Sequence, residues 1–504
     1  MNYRFLEDDR PLIERICQLN GISAADLDLS AFFNVPILPI VETFKEKLSE
    51  YQDKRFLIVG DYDCDGICAT VIIKRLLESL HIACNHFIPS RFKQGYGLNE
   101  QIVRNAYDNA FDVIFCVDNG SVACDALALA KELGLKVFII DHHEYADAPE
   151  AEAFLHPDLF PQEYRDMCAA GLCCLLSDSF HEDELSEVYG GLATIADMVR
   201  VLGYNRFLIK RMYEILKTKD ILPIRYLLGD ASLDYEQLSY TVIPKINAVS
   251  RLEELMNVNY MVHYLKDNDA SCMKYLKYIE NINTIRKEDT KKMYAYAKKQ
   301  IDPDQPFLLL KSDTFKEGLC GLLANRMMNE YQKPVLVLSE KEGELKGSGR
   351  SPDGFDLYTY LKAFSGLFTA FGGHEQAVGL SLPLEAYDAL TDAIAKNPFL
   401  LKDKDMDVLV TDPDKVDLEM LSQLEGLRPF GTAFKEPLFA FKDVEYRNCF
   451  LIAQKYPKYV LTRQLEAISF HSDHINKQFT TMIGRIQRDS YHKNHIRFVI
   501  EDLL

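Results

Sequence analysis

Phe56-Leu57-Ile58-Val59-Gly60-Asp61-Tyr62-Asp63-Cys64-Asp65-Gly66 decides the fold of this chain. Four apolar residues closed by a glycine read as a short buried strand. Three carboxylates at alternate positions follow at once. The same grammar recurs twice: Asp112-Val-Ile-Phe-Cys-Val117 runs into Asp118-Asn119-Gly120, and Lys136-Val-Phe-Ile-Ile140 runs into Asp141-His142-His143. A fourth acid, Asp197, ends the apolar stretch Gly191-Leu-Ala-Thr-Ile-Ala-Asp197. Open parallel sheets carry their sites at the carboxyl ends of their strands. Acids and histidines at three such ends therefore predict one converging cluster.

Side chains on an extended segment alternate faces with period two. A chain that stays extended past Gly60 would point Asp61, Asp63 and Asp65 the same way. Three carboxylates on one face repel unless cations lie among them. A donor set of oxygens with one or two imidazoles suits manganese or magnesium better than zinc. Six or more such ligands are enough for two ions, the arrangement that clamps the attacking and leaving oxygens of a phosphoryl displacement. A calcium loop is disfavoured: its opening matches at Asp61, Asp63, Asp65 and Gly66, but loop position twelve is Ile72 rather than Glu. Asp197 alone reads as a residue capping a helix start. Its apolar neighbours would make it a costly buried charge unless it is paired or metal-bound.

The chain has 504 residues, too many for one core, and is expected to form two to four domains. Its hydrophobic content of 48% and charged content of 26% are those of an ordinary globular protein. No apolar run is long enough to span a bilayer, and the N-terminus has no signal-peptide pattern. The twelve cysteines lack metal-binding spacing and several lie in apolar runs, so reduced core thiols and a cytoplasmic location are expected. A net charge of -19 argues against a protein that coats duplex DNA. Locally the balance reverses. Residues 441–500 hold ten Lys and Arg against five Asp and Glu, and residues 274–300 hold eight against three. Either stretch could guide a polyanion, or be a solvated face.

The expected organisation is α/β. An N-terminal helical extension occupies 1–50, broken by Pro36 and Pro39. A parallel-sheet lobe spans 51–252, with Ile67–Leu80 and Val122–Leu133 as crossover helices. A helical bridge covers 253–303 and a second α/β lobe 304–400. The second lobe carries Lys346-Gly-Ser348-Gly-Arg350-Ser351 and Phe371-Gly372-Gly373-His374. Ser348 and Arg350 suit a phosphate, Arg as a fork donor. A connector is expected over 401–435. Short alternating strands over 436–504 are consistent with a small barrel such as an OB-fold, which binds single strands by stacking bases on aromatics along a basic groove. Tyr456, Tyr459, Phe470 and Tyr491 are the candidate aromatics.

With these motifs in this order, the chain resembles the DHH phosphoesterase superfamily, and within it the RecJ family of single-strand-specific 5′→3′ DNA exonucleases. The signatures are Gly60-Asp-Tyr-Asp-Cys-Asp-Gly66, Val117-Asp-Asn-Gly120, Asp141-His-His143 and Ala196-Asp197, followed by Ile88-Pro-Ser-Arg91, Gly95-Tyr-Gly97, Ile246-Asn247-Ala-Val-Ser-Arg251, Gly347-Ser-Gly-Arg-Ser351, Gly372-Gly-His374 and Arg428-Pro-Phe-Gly431. The resemblance implies a two-manganese site, with magnesium as the alternative metal, formed by Asp61, Asp63, Asp65, Asp118, Asp141, His142, His143 and Asp197. It implies that Arg91, Asn247, Arg251, Ser348, Arg350, Gly372 and Gly373 bind substrate, the arginines and Ser348 at the 5′-phosphate. His374 would touch the phosphodiester under attack, and the C-terminal OB-fold would capture single-stranded DNA. A helicase, a single-strand-binding protein, a role in repair and recombination, and a monomeric state without membrane attachment are further expectations.

The chain departs from the family pattern at two places. Phe315-Lys316-Glu317-Gly318 stands where the family often has Trp-His-x-Gly, and Val249-Ser250-Arg251 where Ala-Gly-Arg is usual. Neither touches the proposed metal ligands. Two other functions are weighed: a phosphodiesterase on short RNA or cyclic dinucleotides, which needs no C-terminal barrel, and a non-catalytic DNA-binding scaffold, which would have lost ligands that are all present here.

Overall fold

The computed structural model describes residues 2–32, 38–401, 405–471, 474–475, 477–489, 492 and 494–504. Tyr491 and Pro36 lie outside the described residues. Three sheets organise the chain. The chain opens with strand β1 (Asn2–Leu6), which belongs to the last of them.

The first complete sheet contains β2 (Phe56–Val59), β3 (Cys84–Phe87), β4 (Val113–Val117), β5 (Lys136–Ile140) and β6 (Ala153–Leu155), in spatial order β3-β2-β4-β5-β6. Every ladder in it is parallel. β2 and β4 are buried along their whole length, and β5 except at Lys136, as expected where helices cover both faces. Val59 pairs with Cys116, and Val117 with Ile140. That register sets the carboxyl ends of the three central strands side by side, so Asp61, Asp118 and Asp141 emerge together.

Beyond β2 the chain is not extended as far as expected. Asp63 caps the helix Cys64–Ser79, its Oδ1 accepting from the Asp65 and Gly66 amides at 2.9 and 3.1 Å. Asp65 thus reaches the site from the first turn of a helix, not by strand alternation. Gly66 is needed there: a Cβ would lie 2.6 Å from the Asp61 carbonyl oxygen.

Asp197 also differs from expectation. It terminates the helix Glu184–Ala196 rather than starting one. A carboxylate at the negative end of a helix dipole gains nothing from it, so its placement serves something other than capping.

Helices Asn259–Leu265 and Met273–Ala297 lead to the second lobe. Its mixed sheet contains β7 (Leu308–Ser312), β8 (Val335–Lys341), β9 (Glu344–Arg350), β10 (Ala370–His374) and β11 (Ala377–Pro383), ordered β10-β11-β9-β8-β7. The glycine-rich stretch at 347–350 is therefore strand β9. The buried cluster of the first lobe runs through Ile279, Ile282 and Met293 of the bridge to Leu310, Leu319 and Leu323. One continuous core joins the two lobes.

The third sheet revises two expectations. It holds eight strands, adding β12 (Asp405–Val410), β13 (Leu438–Phe441), β14 (Asn448–Ile452), β15 (Tyr456–Val460), β16 (Leu465–Ser469), β17 (Met482–Arg488) and β18 (Ile496–Leu503) to β1. β1 pairs in parallel with β12, and β12 with β13. The segment 401–435 is thus no mere connector, since Asp405-Met-Asp-Val-Leu-Val410 supplies a strand and Leu421 and Leu424 of the helix Leu418–Gly426 enter the core. Nor is 1–50 only helical: β1 joins this sheet, and Ile16 packs in its core beside Leu409 and Leu421. Pro39 begins the helix Pro39–Ser49 instead of breaking one, a position where its missing N–H costs nothing. Phe32 packs against Tyr164 and Tyr204 of the first lobe at 5.4 and 6.0 Å, so the N-terminal segment contacts both the C-terminal sheet and the first lobe. No helix among the described residues is long and apolar enough to cross a membrane.

Candidate metal centre and phosphate pocket

The strand ends deliver their acids to one place. Ligand atoms of Asp61, Asp63 and Asp118 lie within 4.8 Å of one another, as do those of Asp118, His142 and His143, and those of Asp65, His142 and Asp197. Asp118 and His142 belong to two groups each, so the three sets form one continuous cluster. Asp61, Asp65, Asp118 and Asp141 are all buried.

Each side chain is held from behind. The Asp65 carboxylate accepts from the Ala169 and Ala170 amides, both at 2.8 Å, at the start of the helix Ala169–Phe180. Asp141 accepts from the Ser121 amide at 3.0 Å and contacts His143 Nδ1 at 2.8 Å. His142 Nε2 lies 3.2 Å from Asp118 Oδ1, and its Nδ1 lies 3.7 Å from Asp197 Oδ2. Asn119 ties the strand ends together, donating to the Val59 and Val117 carbonyls at 3.0 and 2.8 Å and accepting from the Leu98 amide at 3.0 Å. Gly97 makes that approach possible: its φ is +67°, and a Cβ would meet Asn119 at 2.9 Å. The Tyr96 hydroxyl donates to the Asp118 carbonyl at 2.7 Å and sits 3.0 Å from His143 Nδ1. Sequence reasoning quoted Asn119 and Tyr96 within motifs but gave them no role. Their place beside strand-end acids was the available signal.

The electrostatics are those of an anion cluster short of positive charge. Burial, then Asp63, raises the Asp61 carboxyl well above its ordinary value. Burial, then Asp65, Asp63 and Asp61, does the same to Asp118. Asp197 is pushed up to about 8 by burial and by Asp65 and Asp63. Asp141 is the exception: burial works to raise it, but His143 and Ser121 hold it down at about 2. Burial lowers His142, which favours the neutral ring that can ligate. Asp61 Oδ1 and Asp118 Oδ1 are buried and accept no aligned hydrogen bond from the described residues, although His142 Nε2 lies 3.2 Å from Asp118 Oδ1. A buried carboxylate oxygen left unpaired is costly. Hard divalent cations would satisfy both oxygens, so the donor set fits such ions.

A second constellation is basic. Arg251 is half-buried, and its guanidinium is lowered to about 10, first by desolvation and then by Arg91, Arg350 and Arg286, with Asp63 opposing. Four arginines therefore face one region bordering the acid cluster. Arg91 lies over the Tyr62 ring at 5.3 Å. Arg251 Nη1 reaches the Gly318 carbonyl at 3.3 Å. At the start of the helix Cys320–Tyr331, a Cβ on Gly321 would lie 3.4 Å from Arg350 Nη2 and 3.5 Å from Ser348 Oγ. The positive end of that helix thus faces Ser348 and Arg350, an arrangement suited to an anion. Asn247 Oδ1 is buried without a donor. Sequence reasoning missed Arg286, held by Asn283 at 2.9 Å; the basic stretch 274–300 was its only signal. Lys316 is engaged elsewhere, 2.8 Å from Asp289.

His374 is not gathered into either constellation. It ends β10 on an exposed hairpin with Gly372 and Gly373, and makes no hydrogen bond or ion pair with the acid cluster.

Three family models match the chain: the DHH family, N-terminal domain, over 55–197; the DHHA1 domain over 304–397; and the RecJ OB domain over 407–502. The chain is 30% identical over 412 residues to the single-stranded-DNA-specific exonuclease RecJ of Bacillus subtilis, matching 77% of this chain and 52% of that protein. It is 28% identical over 479 residues to the exonuclease of the same name from Escherichia coli, matching 85% and 83% of the two chains. The chain thus spans about half the length of the Bacillus relative. Among solved structures it is similar to Thermus thermophilus RecJ in complex with Mn2+, with a TM-score of 0.82 and 21% identity, covering 100% of this chain and 79% of that one. A structure of exonuclease RecJ bound to manganese matches at TM-score 0.62 and 24% identity, covering 72% and 96%.

Proposed function

The chain belongs to the RecJ family of the DHH phosphoesterase superfamily, and on that premise we propose that it is a metal-dependent exonuclease that hydrolyses single-stranded DNA 5′→3′ to 5′-mononucleotides. The observation that carries the proposal is the juxtaposition of the acid cluster, with two carboxylate oxygens that accept no hydrogen bond from the described residues, and the half-buried arginines around Arg251, which itself feels the Asp63 charge. One constellation suits divalent cations and the other a terminal phosphate.

Asp61, Asp63, Asp65, Asp118, Asp141, His142, His143 and Asp197 would hold the cations, manganese by family and magnesium as the alternative, by direct bonding or by fixing the ligands that bond. Bound there, a pair of divalent cations supplies a water nucleophile at neutral pH and offsets charge on the transferring phosphoryl group. The chain does the positioning. The helix amides at Ala169 and Ala170 lock Asp65, and Asp141 orients the His143 ring. Arg91, Arg251, Arg350 and Ser348 would take the 5′-phosphate and so set the scissile bond at a fixed distance from the acids. Asn247 and the Gly372-Gly373-His374 hairpin would complete the grip on the strand, His374 from its exposed position. The eight-stranded C-terminal sheet would hold the strand that enters. A helicase and a single-strand-binding protein as partners, a monomeric state and a cytoplasmic site of action, in repair and recombination, complete the proposal.

The test is digestion of single-stranded DNA labelled at either end, with manganese, beside duplex and RNA controls. Release of a labelled mononucleotide from the 5′ end with duplex spared is the expected result. Turnover of dinucleotides or short RNA without cleavage of DNA would overturn it.

A further inference from the structure

Two exposed side chains, Met198 and Tyr240, line a cavity that begins next to Asp197. Met198 directly follows Asp197 and has φ +56°. That left-handed position after a helix end is one where glycine is free of strain and a side chain is not. Met198 is 74% exposed, so no burial offsets the strain. Tyr240 is 77% exposed, and its side chain makes neither a hydrogen bond nor a ring contact with the described residues. It sits in the π-helical turn Leu238–Val242, a rare geometry that concentrates at functional sites.

Both side chains line one cavity of about 310 Å³, together with Ile195, Ser239, Pro429 and Phe430. The cavity starts one residue from Asp197, whose carboxylate is 3.7 Å from His142. Its other wall is the segment leading to the C-terminal sheet. Glu236 and Glu436 also line it, and Arg428 lies 3.6 and 3.1 Å from their carboxylates. The pocket therefore offers no free cation for a phosphate. It offers a polarizable thioether and an aromatic face, with volume for one small planar group.

We propose that this pocket is a base-binding subsite, in which Tyr240 stacks on a nucleobase of the single strand and Met198 packs against it, adjacent to the acid cluster. The inference deepens the exonuclease reading and rests on it. Every base has a π-face, so such a contact grips the strand without reading sequence. Duplex, whose bases are already stacked, cannot use it. Tyr240 and Met198 are thus positioning residues that contribute to strand selectivity through the base rather than the backbone.

The test uses Tyr240→Ala, Tyr240→Phe and Met198→Gly in the full chain. An oligonucleotide series carries one abasic site at successive positions from the 5′ end. Base stacking of this kind is worth roughly 5- to 150-fold per base. Tyr240→Ala is expected to lower kcat/KM on intact DNA by about tenfold, while Tyr240→Phe retains it. At one abasic position wild type and Tyr240→Ala should become equal. Met198→Gly should weaken the strand contact while holding or raising Tm, because it relieves the backbone, whereas a merely structural methionine would lower Tm on removal. A second readout is the quenching of 2-aminopurine placed at that position, measured in EDTA without turnover; quenching present in wild type and lost in Tyr240→Ala supports the subsite. Equal loss of rate by Tyr240→Ala at every abasic position, or unchanged quenching, overturns it. A wild type that degrades no DNA sinks the exonuclease reading instead, and the quenching measurement still decides the base contact.

Discussion

The Arg206 guanidinium, only 1% exposed, donates from Nη1 to the Pro429 carbonyl at 2.7 Å and thereby fastens the segment before the C-terminal sheet to the first lobe. Its Nη2 donates to the Leu427 carbonyl at 2.6 Å, and its Cζ lies 4.9 Å from the Phe434 ring centre. Burial brings Arg206 down to about 10, so it stays charged at neutral pH. Two carbonyl oxygens and an aromatic face take the place of a carboxylate partner.

Replacing Arg206 with Met keeps the volume and removes the donors. Two carbonyls are then left unpaired at a buried interface, at a cost of roughly 2–6 kcal/mol. The expected outcome is an early unfolding transition for the C-terminal sheet and faster proteolysis of the segment before it. A single calorimetric transition at the wild-type temperature would count against this anchoring role.

Asp118→Asn is nearly isosteric and suits the residue's backbone, whose φ of +60° asparagine tolerates well. It replaces a carboxyl that burial and the neighbouring acids already push toward its neutral form. The metal-free variant should therefore have a Tm equal to or above wild type. Manganese should raise the Tm of wild type but not of the variant, and strand cleavage should fall at least a hundredfold, the scale of losing about 3 kcal/mol of transition-state stabilisation. Titration by calorimetry checks the first result and an end-labelled digest the second.

The metal-free protein should lose stability as pH rises. Asp197 moves from its ordinary 3.8 to about 8, through burial first and then Asp65 and Asp63. The folded state thus binds a proton more tightly than the unfolded chain. That contribution is fully present below about pH 4 and is lost as pH rises through about 8. Cation binding needs the deprotonated acids, so the stabilisation by manganese should grow over the same range. Thermal melts at pH 6 and pH 8, in EDTA and in manganese, check both signs. A manganese effect of equal size at the two pH values would contradict the linkage.

Arg251→Gln should separate phosphate recognition from chemistry. The half-buried side chain feels the charges of Arg91, Arg350 and Arg286, and a charge-assisted contact to phosphate contributes about 1.5–3 kcal/mol. KM for a 5′-phosphorylated strand should rise by roughly 10- to 100-fold on that scale. KM for a 5′-hydroxyl strand should change little. Equal losses on the two substrates would place Arg251 outside the phosphate pocket.

Truncation at residue 436 should not yield a clean two-lobe enzyme. It strips β13 and the strands after it from β12 and β1, leaving unpaired edges of the kind that aggregate. Removing residues 405–504 together with β1 should give more soluble protein, as size-exclusion chromatography would report. Better behaviour of the 436 truncation would contradict the shared sheet.

The first lobe was legible because its signals are local. Short apolar runs, each followed within a residue or two by an acid, announce parallel strand ends, and those strands form as expected at β2, β4 and β5. Local signals misled where one residue carries two meanings. Asp65 looked like the third tooth of a strand, yet Asp63 had already begun a helix. Asp197 looked like a helix start and is a helix end. Asp405–Val410 carried a strand pattern of its own, but its partners lie about four hundred residues earlier and thirty residues later in sequence.

The amino-acid sequence by itself determined the acid and histidine set, the alternation of strands and helices around it, and the family. Each depends on residue type and short spacing, which backbone periodicity turns directly into structure. Only the tertiary structure decided how Arg286 of the bridge joins Arg91, Arg251 and Arg350, how β1 completes the C-terminal sheet, how Arg206 holds that sheet in place, and why Met198 and Tyr240 share a cavity. Those relationships join residues that are remote along the chain, and packing and burial, which act through space, bring them together.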